Sequence, residues 1–302
     1  MIEARTVFGG ETDKRAYVSE CEASYEAALD AAVCRVLAIP DCRIVALSGP
    51  TCSGKTTTAK KLISEFSEAG AEVHVVSIDD FFYDRSLLLE RAAAQGGRID
   101  FDSPSTIDME AFAAAVDDIF SGRPAHLPKF DFITGRRSGF TTVPPGEHDV
   151  YIFEGIQAIY PEVTVHFAGH RYVSVFAFAE RGISLLDTHF DRVTVRLLRR
   201  LVRDFNFRGA SPAFTLDLWE SVRENEEKNI LPYIGTADVV IDSTLGYELS
   251  ALKPYLVPLL SSLPRSHSFY SEGQRIISVL SRIDEISKTY IPTTSVYREF
   301  LG

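Results

Sequence analysis

The chain has 302 residues, of which 45% are hydrophobic and 24% are charged, so it is long enough to bury a full core as one large domain with appendages. It carries 31 lysines and arginines against 42 aspartates and glutamates, and this net charge of −11 argues against a broad nucleic-acid-binding surface. The four cysteines lack C-x-x-C spacing, and no apolar run approaches the roughly 18 residues of a membrane span. We therefore expect a cytoplasmic protein that binds neither nucleic acid nor membrane, and the sequence leaves a homo-oligomer open.

Alternating strand and helix patterns dominate the middle of the chain. Apolar residues at helical spacing predict an N-terminal helix over residues 19–38. A strand-like run, IVALS, then leads through a glycine-bearing turn into a predicted helix over residues 55–69. Further strand-like runs occupy residues 73–78, 150–153, 172–179 and 238–241. This alternation predicts a three-layer α/β fold, in which helices cover both faces of a mostly parallel sheet.

Two further segments extend this pattern. Residues 126–143 hold two β-like runs around a Gly-Arg-Arg turn, which predicts an inserted hairpin that overhangs a substrate site. Residues 247–260 and 272–286 have helical patterns and predict a C-terminal helical extension. The predicted division is an N-terminal helical segment at 1–40, an α/β domain at 41–246 and the extension at 247–302.

Residues 49–56 read GPTCSGKT, a full match to the pattern G-x-x-x-x-G-K-[ST] between a predicted strand and a predicted helix. The glycines permit a tight loop with inward-pointing N–H groups, and the helix N-terminus adds positive potential where phosphates bind. Lys55 is expected to reach the β- and γ-phosphates of ATP, and the hydroxyl of Thr56 to contact Mg²⁺. A chance glycine-rich turn is the alternative interpretation. The expected cofactor-binding residues of this segment are Gly49, Pro50, Thr51, Cys52, Ser53, Gly54, Lys55, Thr56 and Thr57.

Acidic residues follow two of the predicted strands. Phosphoryl transfer needs a group that orients and deprotonates the acceptor hydroxyl, and open α/β sheets place such groups beyond the carboxyl ends of strands. Asp79 and Asp80 come at the end of the run at 73–78, and Glu154 follows the run at 150–153. Capping of the next helix is the alternative explanation. The sequence does not rank Asp79 over Asp80.

Residues 196–208, RLLRRLVRDFNFR, have a strongly basic amphipathic pattern. The apolar face is expected to consist of Leu197, Leu198, Leu201, Val202 and Phe205. The opposite face is expected to carry Arg196, Arg199, Arg200 and Arg203. Such arginines can clamp the charge of a transferring phosphoryl group, although a solvated face is the plainer alternative. Residues 205–214 contain glycine, proline and Arg208, and predict a lid that closes over the phosphates.

Several motifs together resemble the uridine kinase family, in the group that also contains phosphoribulokinase. Besides the loop, these motifs are SIDDFF at 77–82, FDSPSTID at 101–108, PKFDF at 128–132, FEGI at 153–156, RRLVRDFNFRG at 199–209 and AD…DS across 237–243. They cover residues 43–246 and imply a P-loop kinase domain. The tail is also similar to the C-terminal part of bacterial members that carry a TGS domain in front, for which residues 1–40 are too short.

The resemblance implies a role for individual residues. Asp79 corresponds to the catalytic base, Glu154 to the acidic residue near Mg²⁺, and Asp102 to a contact with the ribose hydroxyls. Arg203 corresponds to an arginine that approaches the triphosphate. The implied site comprises the catalytic residues Lys55, Asp79 and Arg203, the metal ligands Thr56, Asp79 and Glu154, the substrate-binding residues Asp79, Phe82, Asp102, Phe130, Arg136 and Arg200, and the nucleotide-binding lid residues Arg203 and Arg208. The implied reaction is ATP-dependent phosphorylation of a small-molecule substrate, a nucleoside, at its 5′-hydroxyl.

Departures from the family pattern fall on the acceptor side. Uridine kinases usually have tyrosine at the positions of Phe82 and Phe130, histidine near Gly135 and arginine at Ala210. Because the phosphate-side residues are retained, the resemblance implies intact catalysis with an altered preference for the base. A kinase of another polyhydroxylated metabolite, such as a sugar or sugar phosphate, is the nearest alternative. A regulatory nucleotide-binding module is the alternative of another class, although the chain lacks the N-K-x-D guanine signature.

Overall fold

Residues 1–94, 99–146 and 148–302 are described by the computed structural model, which has an α/β architecture. Its strands are β1 (Ile2–Glu3), β2 (Cys42–Ser48), β3 (Val73–Ser77), β4 (Ala125–Asp131), β5 (Arg136–Val143), β6 (Val150–Glu154), β7 (Arg171–Phe178), β8 (Ile183–Leu185), β9 (Thr188–Phe190) and β10 (Val239–Asp242). Its helices are α1 (Glu11–Leu37), α2 (Lys55–Glu68), α3 (Arg85–Ala94), α4 (Met109–Phe120), α5 (Pro161–Thr164), α6 (Arg192–Arg208), α7 (Pro212–Asn229), α8 (Glu248–Ser261), α9 (Tyr270–Leu280) and α10 (Arg298–Leu301).

Five strands form one parallel sheet in the order β10-β7-β2-β6-β3. The central strand β2 alternates its side chains between two hydrophobic cores. Val45 and Leu47 pack into one core, and Ile44 and Ala46 pack into the other. Strands buried on both faces need continuous apolar runs, which is the pattern that the sequence shows. The predicted α/β/α fold with a parallel sheet is confirmed.

Strand register brings the carboxyl ends of three strands to one edge of the sheet. Glu154 at the end of β6 pairs with Leu47 of β2 on one side and with Ser77 of β3 on the other. From this edge the chain runs from β2 into the loop before α2, and from β3 into a turn of 3-10 helix at Ile78–Phe81. Open parallel sheets bind their ligands at such an edge.

Several element boundaries differ from the sequence prediction. Helix α1 begins at Glu11 instead of residue 19. The prediction missed its first turns because they are largely exposed and carry little apolar pattern. Helix α9 ends at Leu280 instead of residue 286. The prediction was too long because the later isoleucines are buried, as in a helix face, but do not belong to the helix. The hairpin turn spans 132–135, so the two arginines that follow it belong to β5 and not to the turn.

The terminal helices share one hydrophobic core with the sheet. Tyr25 of α1, Leu256 of α8 and Ile276 of α9 are buried in the same cluster. A small sheet of β1, β8 and β9, which the sequence pattern did not indicate, lies beside this core. The division at residues 40 and 246 stays a prediction. Within the described ranges, no helix is long and apolar enough to cross a membrane.

Candidate active site

The loop between β2 and α2 has a backbone that requires its two glycines. Gly49 has a φ of +152°, and a Cβ atom there would lie 2.0 Å from the carbonyl oxygen of Ala177. Gly54 has a φ of +87°, and its Cβ would lie 2.1 Å from Cγ2 of Val296. A side chain at either position would therefore collide with a neighbour. Cys52 is buried in the loop with a left-handed φ of +59°.

Three buried arginines of α6 support this loop. Arg196 Nη2 donates to the carbonyl oxygen of Thr51 at 3.1 Å, and Arg199 Nη1 donates to that of Cys52 at 3.3 Å. Arg203 Nη1 donates to the hydroxyl of Thr51 at 3.1 Å. These hydrogen bonds from guanidinium groups hold the loop in place through its oxygen atoms. The backbone N–H groups of the loop therefore remain available for phosphates.

Each supporting arginine has an acidic partner. The pairs are Arg196 with Glu226, Arg199 with Glu248, and Arg203 with Asp204. Four residues of the predicted apolar face are buried, namely Leu197, Leu198, Leu201 and Val202, but Phe205 is 52% exposed and these three arginines are buried. A solvated basic face is excluded for the same reason. The sequence carried no signal for the supporting role of Arg196 and Arg199, because their partners lie far away along the chain.

Electrostatic interactions connect three residues at the edge of the sheet, Lys55, Asp79 and Glu154. Lys55 begins α2, and its Nζ lies 3.3 Å from the carbonyl oxygen of Pro50. Burial and repulsion from Glu154 raise the pKa of Asp79 to about 6, and the charge of Lys55 opposes this shift. Burial also raises the pKa of Glu154, again against the charge of Lys55. The structure therefore brings together the lysine and the two carboxylates that the sequence singled out.

The oxygen atoms at this edge suit Mg²⁺. Thr56 supplies a hydroxyl, and Asp79 and Glu154 supply carboxylates, which are the hard ligands that this ion prefers. Across the part of the chain that the structure describes, no three acidic, histidine or cysteine side chains lie close enough to hold a metal by themselves. Such an incomplete set fits an ion that keeps several waters and binds together with substrate phosphates.

Asp80 has different surroundings from its neighbour. Its Oδ1 accepts a hydrogen bond from the backbone N–H of Phe130 at 2.9 Å, and its Oδ2 lies 3.1 Å from Nζ of Lys129. Both partners belong to β4 of the hairpin. The two adjacent aspartates are thus directed to different parts of the site, with Asp79 lining a cavity and Asp80 holding the hairpin.

An aromatic cavity of about 280 Å³ opens beside Asp79. Phe130 and Phe132 of the hairpin form part of its wall, so the hairpin overhangs it. The ring of Phe82 lies 5.9 Å from that of Phe101 and 5.8 Å from that of Phe130, between centroids. The polar residues of the lining are Asp79, Arg85, Asp102 and Gln157.

Two of these polar residues were missed by the sequence analysis. The side chain of Arg85 fills the space beside Gly135, where a Cβ would lie 2.9 Å from its Nε. Gln157 Nε2 donates to the carbonyl oxygen of Phe101 at 3.0 Å, and its Oε1 has no hydrogen-bond partner among the described residues. Both are polar side chains on the acceptor side of the site, where the departures from the family pattern fall. Only the folded hairpin and the turn after β6 bring them to the cavity.

Of the other residues predicted to bind the acceptor, Asp102 lines the cavity and Arg136 does not. Burial and the charge of Asp100 raise the pKa of Asp102 to about 6, while Lys55 and Arg200 lower it. Nε of Arg200 lies 3.2 Å from a carboxylate oxygen of Asp204, and Arg200 is not part of the cavity lining, so its contact with the ribose stays a prediction. Arg136 is exposed in β5 and does not line the cavity.

The predicted lid is a corner between two helices. Helix α6 ends at Arg208, Gly209 takes a left-handed φ of +63°, and α7 begins at Pro212. Arg208 is exposed, and its Nε lies 3.6 Å from a carboxylate oxygen of Asp204. Of the two expected lid arginines, Arg203 is the one that contacts the phosphate-binding loop.

The strand, glycine-bearing loop and helix, with a lysine and two carboxylates at the same sheet edge, define a P-loop nucleotide-binding protein. A sequence model of the Phosphoribulokinase / Uridine kinase family matches residues 44–249, and the chain belongs to this family. Uridine-cytidine kinase 2-B of Danio rerio is 30% identical over 205 residues, which are 66% of this chain and 72% of that protein.

Further similarities are weaker. Uridine kinase of Deinococcus deserti is 28% identical over 200 residues, which are 66% of this chain and 86% of that protein. The crystal structure of a putative fructose transport system kinase from Silicibacter sp. TM1040 is 24% identical, with a TM-score of 0.48, and the match covers 71% of this chain and 97% of that one. The family resemblance predicted from the motifs is confirmed, and the relatives are kinases.

Proposed function

We propose that the protein is an ATP-dependent kinase that transfers the γ-phosphoryl group to the 5′-hydroxyl of a nucleoside. The observation that carries this proposal is the position of Asp79. Asp79 lines the aromatic cavity, and it lies near enough to Lys55 of the P-loop for the lysine charge to oppose the rise in its pKa that burial and Glu154 cause. One carboxylate therefore faces both the phosphates and the acceptor. The two relatives named as uridine and uridine-cytidine kinases support a nucleoside as that acceptor.

In this reaction the P-loop amides and Lys55 hold the β- and γ-phosphates, and Asp79 accepts the proton of the acceptor hydroxyl. A bond forms between the acceptor oxygen and the γ-phosphorus as the bond to the β–γ bridging oxygen breaks, and ADP leaves. Mg²⁺ near Thr56 and Glu154 would neutralise charge on the phosphates. Arg203, which donates to the hydroxyl of Thr51 in the loop, is assigned the stabilisation of charge that develops in the transition state.

The cavity favours a nucleoside over a free sugar. Four phenylalanine rings line it, and such walls suit a planar base that can stack against them. Asp102 and Arg200 supply a carboxylate and a guanidinium that suit the vicinal hydroxyls of ribose. Phe82 and Phe130 offer no phenol hydroxyl, so the polar contacts to the base fall to Arg85 and Gln157.

A kinase assay with product identification tests this proposal. The protein is incubated with Mg·ATP and, separately, uridine, cytidine, purine nucleosides, thymidine and free sugars, and the products are identified by mass spectrometry. A nucleoside 5′-monophosphate supports the proposal, and its loss in Asp79→Asn links it to this site. Phosphorylation of sugars alone would support the polyol kinase instead. Binding of ATP without transfer to any acceptor would support a regulatory module.

A further inference from the structure

The last part of the chain is firmly anchored. In residues 291–302, which we call the tail, Val296, Tyr297 and Phe300 are fully buried. Arg298 Nη2 donates to the carbonyl oxygen of Ile291 at 2.6 Å, and Asn206 of α6 donates to that of Phe300 at 3.0 Å. Detaching the tail would expose large apolar side chains to water, which is unfavourable.

The tail also contacts the phosphate-binding loop. Val296 lies so close to Gly54 that the loop could not carry a side chain there. The guanidinium group of Arg199 lies 5.4 Å from the ring centroids of both Tyr297 and Phe300. Since Arg199 also binds the loop carbonyl of Cys52, the tail and the loop depend on the same side chain. The family match ends at residue 249, so these contacts come from outside the shared domain.

A cavity of about 570 Å³ separates the tail from the first turns of α2. This volume is within the range of small-molecule sites. Its lining includes Thr56, Thr57 and Lys60 of α2, and Thr293, Thr294 and Glu299 of the tail. Thr56 and Thr57 follow the P-loop lysine directly, so the cavity borders the segment of the chain that would hold a bound triphosphate.

We propose that the tail is a fixed wall of the nucleotide site, and that the nucleoside of the donor triphosphate occupies the cavity between the tail and α2. This inference rests on the proposed function and adds the place of the donor nucleoside to it. The triphosphate fills the P-loop, and the nucleoside leaves it past Thr57. There it meets the threonine hydroxyls of the tail and the carboxylate of Glu299.

Two polar atoms of the tail have no hydrogen-bond partner among the described residues, Oε2 of Glu299 and the hydroxyl of Tyr297, and of these two residues only Glu299 lines the cavity. A carboxylate accepts hydrogen bonds only, so it suits a ligand that presents donors, such as ribose hydroxyls or an amino group on the base. Such bonds to a charged group are stronger than those between neutral groups. Glu299 is therefore a determinant of donor affinity.

The opposite arrangement is a plug, in which the tail covers the nucleotide site and must leave before ATP binds. The buried anchor residues oppose that motion, and the open cavity makes it unnecessary. The two arrangements differ in one measurable respect. Filling the cavity blocks ATP if the tail is a wall, whereas it has no such effect if ATP replaces the tail.

The test uses the full chain and isothermal titration calorimetry with two ligands, Mg·ATP and magnesium tripolyphosphate, which has no nucleoside. Thr294 is exposed at the cavity, and Thr289 is exposed just before the tail and outside the cavity lining. Thr294→Trp should weaken binding of ATP by about tenfold or more. It should leave tripolyphosphate binding and the unfolding temperature unchanged. The matched control Thr289→Trp should change neither affinity, and Glu299→Gln should weaken ATP binding alone.

Unchanged or tighter ATP binding by Thr294→Trp would contradict the proposal that the tail forms a wall of the nucleotide site. Equal weakening of both ligands would also overturn it, because the substitution would then act on the loop and not on the nucleoside. If the unsubstituted protein binds neither ATP nor tripolyphosphate, the proposed function is contradicted, and this inference with it.

Discussion

The carboxylate of Asp80 accepts a hydrogen bond from the backbone N–H of Phe130 at 2.9 Å. This bond ties the turn after β3 to the hairpin over the aromatic cavity, while the neighbouring Asp79 lines that cavity. The two aspartates therefore have separable effects. Asp80 shapes the acceptor site, and Asp79 is left to face the acceptor.

Asp79→Asn should lower kcat by roughly 10²- to 10⁴-fold with little change in nucleotide affinity, because the amide cannot accept the hydroxyl proton. Asp80→Asn should mainly raise KM for the acceptor, because it loosens Phe130 and Lys129. Steady-state kinetics with both substrates varied separates the two effects. A larger loss of kcat in Asp80→Asn would show that Asp80 carries the chemistry.

The raised pKa of Asp79 predicts a dependence of activity on pH. Burial and the charge of Glu154 raise this pKa to about 6, and a base must be ionised to act. The value of kcat/KM should therefore rise with pH and level off above pH ~7. A profile measured from pH 5 to 8 checks this. A flat profile in that range would contradict the role of Asp79.

Stability should change with pH in the opposite direction. The pKa of Asp79 is about 6 in the folded protein against a reference value of 3.8, so the folded state binds this proton more tightly than the unfolded chain. The free energy of unfolding should then fall as pH rises from about 4 to about 6. Asp79→Asn should reduce this slope, and Asp102, whose pKa is also raised to about 6, should account for another part of it. Urea unfolding at each pH provides the measurement, and an unchanged slope in Asp79→Asn would contradict the shift.

Arg199 should contribute strongly to stability. Arg199→Ala leaves Glu248 fully buried without its partner, a change that typically destabilises a protein by about 3–5 kcal/mol. The matched control is Arg275→Ala, which removes an exposed pair with Glu272 and should lower stability by about 1 kcal/mol or less. Equal shifts of the urea midpoint in the two variants would contradict the supporting role of Arg199.

The composition of the aromatic cavity predicts that uridine and cytidine are poorer acceptors than another nucleoside. Phe82 and Phe130 lack the phenol hydroxyl, and each lost hydrogen bond should weaken transition-state binding by about 1 kcal/mol. Values of kcat/KM for a panel of nucleosides and sugars test the prediction. The prediction would be contradicted if uridine or cytidine had the highest kcat/KM of the panel, at a value ordinary for a kinase.

Arg85 should set the acceptor preference in place of the missing groups. Its side chain lines the cavity beside Gly135, whereas Arg91 on the same helix lies over the ring of Tyr83, outside the cavity. Arg85→Ala should raise KM for the preferred nucleoside by roughly tenfold or more, because it removes a charged donor. Arg91→Ala is the control and should leave KM unchanged. An equal effect of the two substitutions would show that Arg85 does not read the base.

Local patterns were sufficient to predict the fold and the position of the glycine-bearing loop between β2 and α2. Alternating apolar runs indicated the parallel sheet, and the glycines at 49 and 54 indicated the loop. The position of Asp79 and Glu154 at one edge followed from parallel topology, since carboxyl ends of such strands meet there. These features depend on neighbours in sequence or on a general rule of sheets.

Contacts between distant segments were not predictable in the same way. The burial of Arg199 depends on Glu248, and the contact of Val296 with Gly54 depends on how the tail returns to the loop. A single sequence gives no pairing signal for such residues. The helical pattern therefore indicated a basic face on α6, whereas three of its arginines are buried against the loop. Arg196 and Arg199 pair there with acids of α7 and α8, and Arg203 pairs with Asp204 of α6 itself.

Transfer of the γ-phosphoryl group tests the central claim most directly. With γ-labelled ATP, Mg²⁺ and a mixture of nucleosides, the protein should move the label into a nucleoside 5′-monophosphate. Lys55→Ala should remain folded, because Lys55 is half-exposed and outside the core, yet it should show no measurable transfer, since the phosphates lose its charge. Absence of any labelled nucleotide product with the unsubstituted protein, or near-normal transfer by folded Lys55→Ala, would contradict it.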